Sequence, residues 1–170
     1  QLSGLEYLNF IADMYEIPED VRKEKIGTLS ERFGMADVLT TQMREYSHGM
    51  RQKLMVISAL IHNPPAWILD EPMTGLDPTA AFELKQMMRE HANAGNAVLF
   101  STPVLEVAEQ LCDRILIINK GKIIFSGFHR KHLGSIVTQQ ARKAIRKAGA
   151  NCPGLISFKL FHIPMPGGVL

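Results

Sequence analysis

The 170-residue chain lacks the features that define several classes of protein. It has 2 cysteines, too few for the disulfide framework of a small secreted domain. Its longest apolar stretch, residues 54–61, is far shorter than the roughly 18 residues that cross a bilayer, and it contains Ser58. The first residues also lack the basic, apolar and small-residue order of a secretion signal. These absences predict a protein of the reducing cytoplasm without a membrane span of its own.

Acidic residues are absent from the last third of the chain. Residues 1–113 hold all 17 Asp and Glu but only 9 of the 19 Lys and Arg, and residues 114–170 hold the other 10 basic residues. With 46% hydrophobic and 21% charged residues the composition is that of a globular domain and excludes general disorder. The basic end either serves as an arm for nucleic acid or an anionic membrane, or was never selected as part of this fold.

The spacing of apolar residues changes along the chain. Before residue 63 it is helical, and at Trp67-Ile68-Leu69 it becomes a short continuous run, typical of a parallel strand buried on both faces. The predicted helices are residues 3–15, 18–34, 49–62, 78–91 and 104–111, with a short turn at 35–39, and the further strands are 97–101, 114–119 and 122–125. We therefore predict the α/β class, with a helical part followed by a mainly parallel sheet with flanking helices.

Two adjacent carboxylates, Asp70 and Glu71, follow the predicted strand at residues 67–69. Ligands of α/β sheets bind at the carboxyl ends of the strands. Successive side chains point to opposite sides, so one carboxylate can hold Mg²⁺ while the other faces an attacking water. The tripeptide Asp-Glu-Pro, taken alone, is equally typical of a solvated turn that ends a strand.

Two short segments flank this strand. Upstream, Ser47 and Gly49 stand at the start of a helix, where a hydroxyl and backbone N–H groups at the positive end of the helix dipole favour an anion. The same residues are also compatible with an ordinary serine N-cap. Downstream, residues 74–78 form a tight turn in which Asp77 caps the next helix.

In this order and spacing, the segments closely resemble the ATP-binding subunits of ABC transporters. "YSHGM" at residues 46–50 stands where that family has its signature Leu-Ser-Gly-Gly-Gln, "AWILDEP" resembles its Walker B segment and "TGLDP" its D-loop. The resemblance covers roughly residues 1–127 and implies part of a P-loop NTPase-like ATPase domain. Its expected segments are a helical subdomain (1–48), the C-terminal part of the ATPase core (49–127) and a basic tail (128–170) that is disordered or frame-altered.

The resemblance implies roles for the matching residues. Asp70 would hold Mg²⁺ and Glu71 would be the general base for the hydrolytic water, while Ser47 and Gly49 would contact the γ-phosphate of ATP bound to the opposite subunit. The implied cofactor-binding set is Ser47, His48, Gly49, Met50 and Asp77, the last communicating across a dimer interface. The implied cofactors are ATP and Mg²⁺. The implied partners are a transmembrane permease subunit and a second ATP-binding subunit, and nucleic acid is not expected. Apolar residues such as Tyr7, Phe10 and Met14 would dock the permease. The implied location is the inner face of the cell membrane.

His48 and Met50 replace the usual Gly and Gln of the family's signature, and two further features depart from the family pattern. Residues 1–170 contain no G-x-x-x-x-G-K-[ST] phosphate loop. In the family, this loop lies upstream of the segment that corresponds to residue 1. Pro103 stands where the family has a histidine that contacts the γ-phosphate, and proline has no side-chain hydrogen-bonding group. We therefore expect an ATP-binding and ATP-hydrolysing transporter subunit, represented by a fragment that is inactive alone.

Two other functions fit part of the pattern. A non-catalytic assembly module would dock a membrane partner and lend its signature face to an intact ATPase, and nucleotide binding by the isolated chain distinguishes the two. A DNA-linked ATPase of the chromosome-maintenance type shares the signature and Walker B arrangement but carries long heptad coiled coils, for which the sequence shows no repeat. In the tail, residues 135–150 can form a basic amphipathic helix suited to an anionic membrane or nucleic acid.

Overall fold

A computed structural model describes residues 2–128 and 134–147 of the chain. It confirms the α/β class, and the predicted helices and strands are present with small shifts at their ends. The helices are α1 (Gly4–Met14), α2 (Glu19–Arg32), α3 (His48–Leu60), α4 (Pro78–Asn93), α5 (Leu105–Leu111) and α6 (Gly134–Lys147), with two short 3₁₀ turns at Ala36–Val38 and Met43–Glu45. The strands are β1 (Ala66–Leu69), β2 (Ala97–Phe100), β3 (Arg114–Asn119) and β4 (Lys122–Phe128).

The chain divides into two compact units. The helical unit comprises Gln1–Pro64 and Met73–Gln86, and the sheet unit comprises Pro65–Pro72 and Met87–Leu170. This division follows packing, and the functional segments 1–48, 49–127 and 128–170 stay a prediction. Among the described residues, none of the helices combines the length and the apolar character that crossing a bilayer requires.

In the helical unit, α1 begins at the capping box that its sequence predicts. Ser3 Oγ accepts the N–H of Glu6 at 3.2 Å, and the Glu6 carboxylate accepts the N–H of Ser3 at 2.7 Å. The Ser3 backbone N–H holds the pKa of Glu6 below its ordinary value, because it favours the ionised carboxylate. One side of the helix enters the core, where Leu8 and Ala12 are fully buried.

Helix α3 is anchored by its apolar stripe. Leu54, Ile57 and the following Ile61 are fully buried and recur at the spacing of one helix face. Buried apolar residues of this kind each contribute about 1.5–3 kcal/mol relative to an exposed position. The stripe therefore holds the start of α3, where Ser47 and Gly49 lie, in one position within the helical unit.

In the sheet unit, the described strands form two separate pairs. Strands β1 and β2 are parallel, with Leu69 opposite Phe100, and β3 and β4 form an antiparallel hairpin. The hairpin turns at Lys120 and Gly121, whose φ angles are both positive, at +49° and +75°. Positive φ at both central residues matches the right-handed twist of the flanking strands.

Burial of β1 on both faces, predicted from its continuous apolar run, is wrong. Trp67 is buried and meets the ring of His91 edge-on at 5.8 Å between centroids, but Ile68 is 71% exposed. Neighbouring side chains of a strand point to opposite faces. The described residues therefore cover one face of this strand and leave the other open.

The basic end of the chain is described only in part. The helix predicted over residues 135–150 is present as α6, Gly134–Lys147, and Arg142 of this helix pairs with Glu106 of α5 at 2.9 Å. The predictions for residues 129–133 and 148–170 lie outside the described residues. The expectation that residues 128–170 form a disordered or frame-altered tail stays a prediction.

Candidate functional site

The two carboxylates predicted to bear the chemistry leave the carboxyl end of β1. Parallel pairing sets Leu69 opposite Phe100, so the residues after the two strands, Asp70 and Ser101, emerge side by side. The N–H of Ser101 donates to the carbonyl oxygen of Leu69 at 3.0 Å and continues the ladder for one more step. Asp70 and Glu71 are both exposed at this edge.

A single hydroxyl connects the two carboxylate residues. Ser101 Oγ accepts the backbone N–H of Glu71 at 2.8 Å and makes a hydrogen bond to Asp70 Oδ1. Glu71 has a φ of +41°, in the left-handed region that residues with a side chain rarely adopt. Non-glycine residues in such conformations recur at functional sites, where the surrounding structure holds them in place.

Sequence reasoning missed Ser101. In this segment the sequence singled out only Pro103 as relevant to function, and the structure places Pro103, exposed, between β2 and α5. The sequence carried no local signal for this contact, because it depends on the parallel pairing of residues 66–69 with residues 97–100, which sets the residues after the two strands side by side. A serine at that point supplies both a donor and an acceptor.

The donor set at this edge fits Mg²⁺ bound together with phosphate. Mg²⁺ in phosphoryl-transfer sites is held by one or two carboxylates plus substrate phosphates and waters. Asp70 is an exposed carboxylate of this kind. Within residues 2–128 and 134–147 there is no group of three or more His, Cys, Asp and Glu side chains that could hold a metal by itself.

The signature turn, residues 47–50, is the start of α3. Ser47 is its N-cap, and Ser47 Oγ accepts the N–H of Met50 at 3.2 Å. The serine side chain thus has the ordinary capping role that the sequence also allowed. No acidic residue lies in the first turn, and the first N–H groups of any helix have no partner within the helix. The turn therefore keeps the positive end that attracts an anion.

The D-loop, residues 74–78, packs directly on the signature turn. A Cβ added to Gly49 would lie 2.9 Å from the carbonyl oxygen of Gly75, closer than real side chains approach. Gly75 has a φ of +80°, and the ring of His48 occupies the space that a side chain at Gly75 would need. Gly49 is therefore required by its close approach to the backbone, and Gly75 by its backbone conformation.

Asp77 ties the D-loop to α3. Its Oδ1 accepts the N–H of Ala80 at 2.9 Å, which caps α4, and its Oδ2 pairs with Lys53 Nζ at 2.9 Å. The Ala80 N–H, and after it the Lys53 ammonium, hold the pKa of Asp77 below its ordinary value because both favour the charged form. At neutral pH Asp77 is thus an anion with two partners in its own helical unit.

The structure brings the predicted site residues together in two groups. The helical unit holds the signature and D-loop residues, Ser47, His48, Gly49, Met50 and Asp77, and the sheet unit holds Asp70 and Glu71 beside Ser101. Ligands of α/β sheets bind at the carboxyl ends of strands, and helix starts with free N–H groups favour anions; the sheet unit supplies the first feature and the helical unit the second.

Comparison with known proteins identifies the family. The ABC transporter family profile matches residues 5–74. The chain is 42% identical over 126 residues to the uncharacterized ABC transporter ATP-binding protein YxlF of Bacillus subtilis, covering 74% of this chain and 42% of that relative. It is 33% identical over 127 residues to the ABC transporter ATP-binding protein NatA of Bacillus subtilis, covering 75% of this chain and 52% of that protein.

A solved structure agrees with these relatives. The structure of an ATP binding subunit of an ABC transporter superposes with a TM-score of 0.78 at 29% identity, over 88% of this chain and 63% of that one. The chain therefore belongs to the family of ABC transporter ATP-binding proteins. It spans about two fifths to one half of the length of the two curated relatives above.

Proposed function

We propose that this chain is part of an ATP-binding and ATP-hydrolysing subunit that powers an ABC transporter. The observation that carries the proposal is the placement of Asp70 and Glu71 at the carboxyl end of the parallel pair β1–β2, both linked to one serine hydroxyl. The family membership supports ATP as the nucleotide. The packing of the signature turn on the D-loop supports the same function from the helical unit.

Each residue has a defined task in this proposal. Asp70 holds Mg²⁺, which when bound neutralises charge on the phosphates of ATP. Glu71 accepts a proton from the attacking water as general base. The N–H groups at the start of α3, with Ser47 and Gly49, contact phosphate oxygens of a nucleotide held by a second ATP-binding subunit, and Asp77 keeps the D-loop beside them.

Two features of the sequence favour the non-catalytic assembly module as second candidate for the chain by itself. Residues 1–170 contain no G-x-x-x-x-G-K-[ST] loop to surround the phosphates, and Pro103 provides no hydrogen bond to the γ-phosphate. Phosphoryl transfer depends almost entirely on positioning and charge stabilisation. We therefore expect nucleotide contact by the chain without turnover.

The prediction of nucleotide contact without turnover is tested by titrating the isotope-labelled 170-residue chain with Mg²⁺-ATP. We expect the amide NMR signals of residues 47–50 and 70–71 to shift with weak, roughly millimolar affinity (about 4 kcal/mol). Phosphate release should be no faster than from the Glu71→Gln variant. Absence of shifts in both segments would contradict the nucleotide site, and a rate that depends on Glu71 would contradict the expected lack of turnover.

We also propose that the helical unit docks a transmembrane permease subunit, which places the protein at the cytoplasmic face of a membrane. Phe10, Met14 and Tyr15 are 55%, 64% and 53% exposed near the end of α1, and exposed apolar clusters mark interaction sites. Tyr7, predicted to share this surface, is half-buried, with its hydroxyl 3.7 Å from Met55 Sδ. The docking surface therefore lies toward the C-terminal end of α1.

A photoreactive phenylalanine analogue tests this surface. When the analogue replaces Phe10 and the chain is produced in cells, the analogue should crosslink to an integral membrane protein that mass spectrometry identifies as a permease. The same group at Lys23, an exposed charged position on α2, is the matched control and should give no such product. Equal capture from both positions, or capture of soluble proteins only, argues against the assignment.

A further inference from the structure

The Ser101 hydroxyl has one proton to donate and lone pairs to accept with, and both are used at this site. The Glu71 amide can only donate, so the Ser101 oxygen accepts at 2.8 Å and its proton goes to Asp70 Oδ1. The order is therefore Glu71 N–H to Ser101 Oγ–H to Asp70 carboxylate. The side chain of the residue that follows β2 thus constrains two consecutive residues after β1.

Each of these bonds acts on a different element of the proposed chemistry. The bond to Asp70 Oδ1 restricts rotation of the carboxylate and leaves its other oxygen, Oδ2, for a cation. The bond from the Glu71 amide holds the backbone at a φ of +41°, a left-handed conformation that is unfavourable for a residue with a Cβ. That backbone angle determines the direction in which the Glu71 side chain projects from the segment after β1.

We propose that Ser101 is a positioning residue that orients the metal-binding carboxylate of Asp70 and the general base Glu71 together. The proposal rests on the proposed function, since it gives Ser101 a role toward the same nucleotide site. In the segment after β2, Pro103 has no side-chain donor or acceptor and the hydroxyl of Thr102 accepts the N–H of Val104, so the hydroxyl that contacts Asp70 and Glu71 is that of Ser101. Ser101 acts through its two neighbours and needs no contact with the nucleotide.

Three substitutions separate positioning from packing. Ser101→Ala removes both hydrogen bonds at almost constant volume, Ser101→Thr retains the hydroxyl, and Ser101→Cys keeps the size with a weak donor in case the alanine variant folds poorly. Thr28→Ala, at an exposed position of α2, is the control. All are made in the 170-residue chain.

The first measurement is amide hydrogen exchange of Glu71 by NMR. Loss of one hydrogen bond corresponds to an acceleration of about 3- to 10-fold, which we expect for Ser101→Ala and, in smaller measure, for Ser101→Cys. Ser101→Thr and Thr28→Ala should stay within about twofold of the unsubstituted chain, since neither loses the bond. Unchanged exchange in both the alanine and the cysteine variants would overturn the proposal.

The second measurement is Mn²⁺ binding in the presence of ATP, followed by paramagnetic broadening of the Asp70 and Glu71 signals. We expect the Mn²⁺ concentration at half-maximal broadening to rise about 3- to 10-fold in Ser101→Ala and to return to the original value in Ser101→Thr. Equal broadening in the original chain and Ser101→Ala overturns the positioning role and leaves the proposed function intact. No broadening even in the original chain overturns the proposed function and the role of Ser101 with it.

Discussion

Replacement of Trp67 by alanine is expected to lower the free energy of unfolding by about 3–5 kcal/mol. The indole is 2% exposed, and its removal leaves a cavity beside His91 that β1 cannot fill, because the strand is held by its parallel pairing with β2. Trp67 is the chain's single tryptophan, so urea unfolding must be followed by circular dichroism rather than by fluorescence.

Ile68→Ala is the matched control for this substitution. Ile68 is the next residue of the same strand and is 71% exposed, so its truncation should change the free energy of unfolding by less than about 0.5 kcal/mol. A large loss from Ile68→Ala with a small loss from Trp67→Ala would show that the buried face of β1 is the opposite one.

The second large effect is expected from Gly49→Ala. The added methyl group would lie 2.9 Å from the Gly75 carbonyl oxygen, which belongs to the backbone and cannot turn aside as a flexible side chain can. Overpacking of this kind costs about 1–3 kcal/mol and here forces the D-loop away from the signature turn. Urea unfolding measures the stability, and changed amide signals of residues 74–77 would report the displacement.

Gly27→Ala is the control and is expected to change the free energy of unfolding in the opposite direction. Gly27 lies inside α2, and a Cβ there meets no heavy atom within 4 Å. Alanine should therefore stabilise the chain by about 0.4–1 kcal/mol, because it reduces the freedom of the unfolded chain without a clash. If both variants gain stability, the close packing of Gly49 on Gly75 is incorrect.

The helices and strands could be predicted from the sequence because their signals are local. The capping box of Ser3 and Glu6 and the serine before α3 are each read within four residues, and the structure has caps at both points. The hairpin at Lys120 and Gly121 likewise follows from two predicted strands separated by two residues, of which Gly121 readily adopts positive φ. Local hydrogen bonds and backbone preferences favour these features, and both can be read from neighbouring residues.

The candidate site was predicted as a set of segments and not as a geometry. The order of the signature turn, Walker B segment and D-loop pointed to Asp70 and Glu71 and to the family that the comparisons confirm. The spacing could not show that Lys53 reaches Asp77 or that Ser101 reaches Asp70, because 24 and 31 residues separate these partners. Their roles toward nucleotide remain predictions.

By itself, then, the sequence determined the α/β class and the helix starts, and it named Asp70, Glu71 and the start of α3 as candidates for binding Mg²⁺ and phosphate, since each of these depends on neighbours along the chain. The tertiary structure alone decided that Ile68 is exposed, that Gly49 meets Gly75 and that one serine hydroxyl links Asp70 to Glu71. These features depend on which distant segments pack or pair with each other. Parallel pairing of β1 with β2 created the carboxylate arrangement, because it places the ends of two strands from separate parts of the chain side by side.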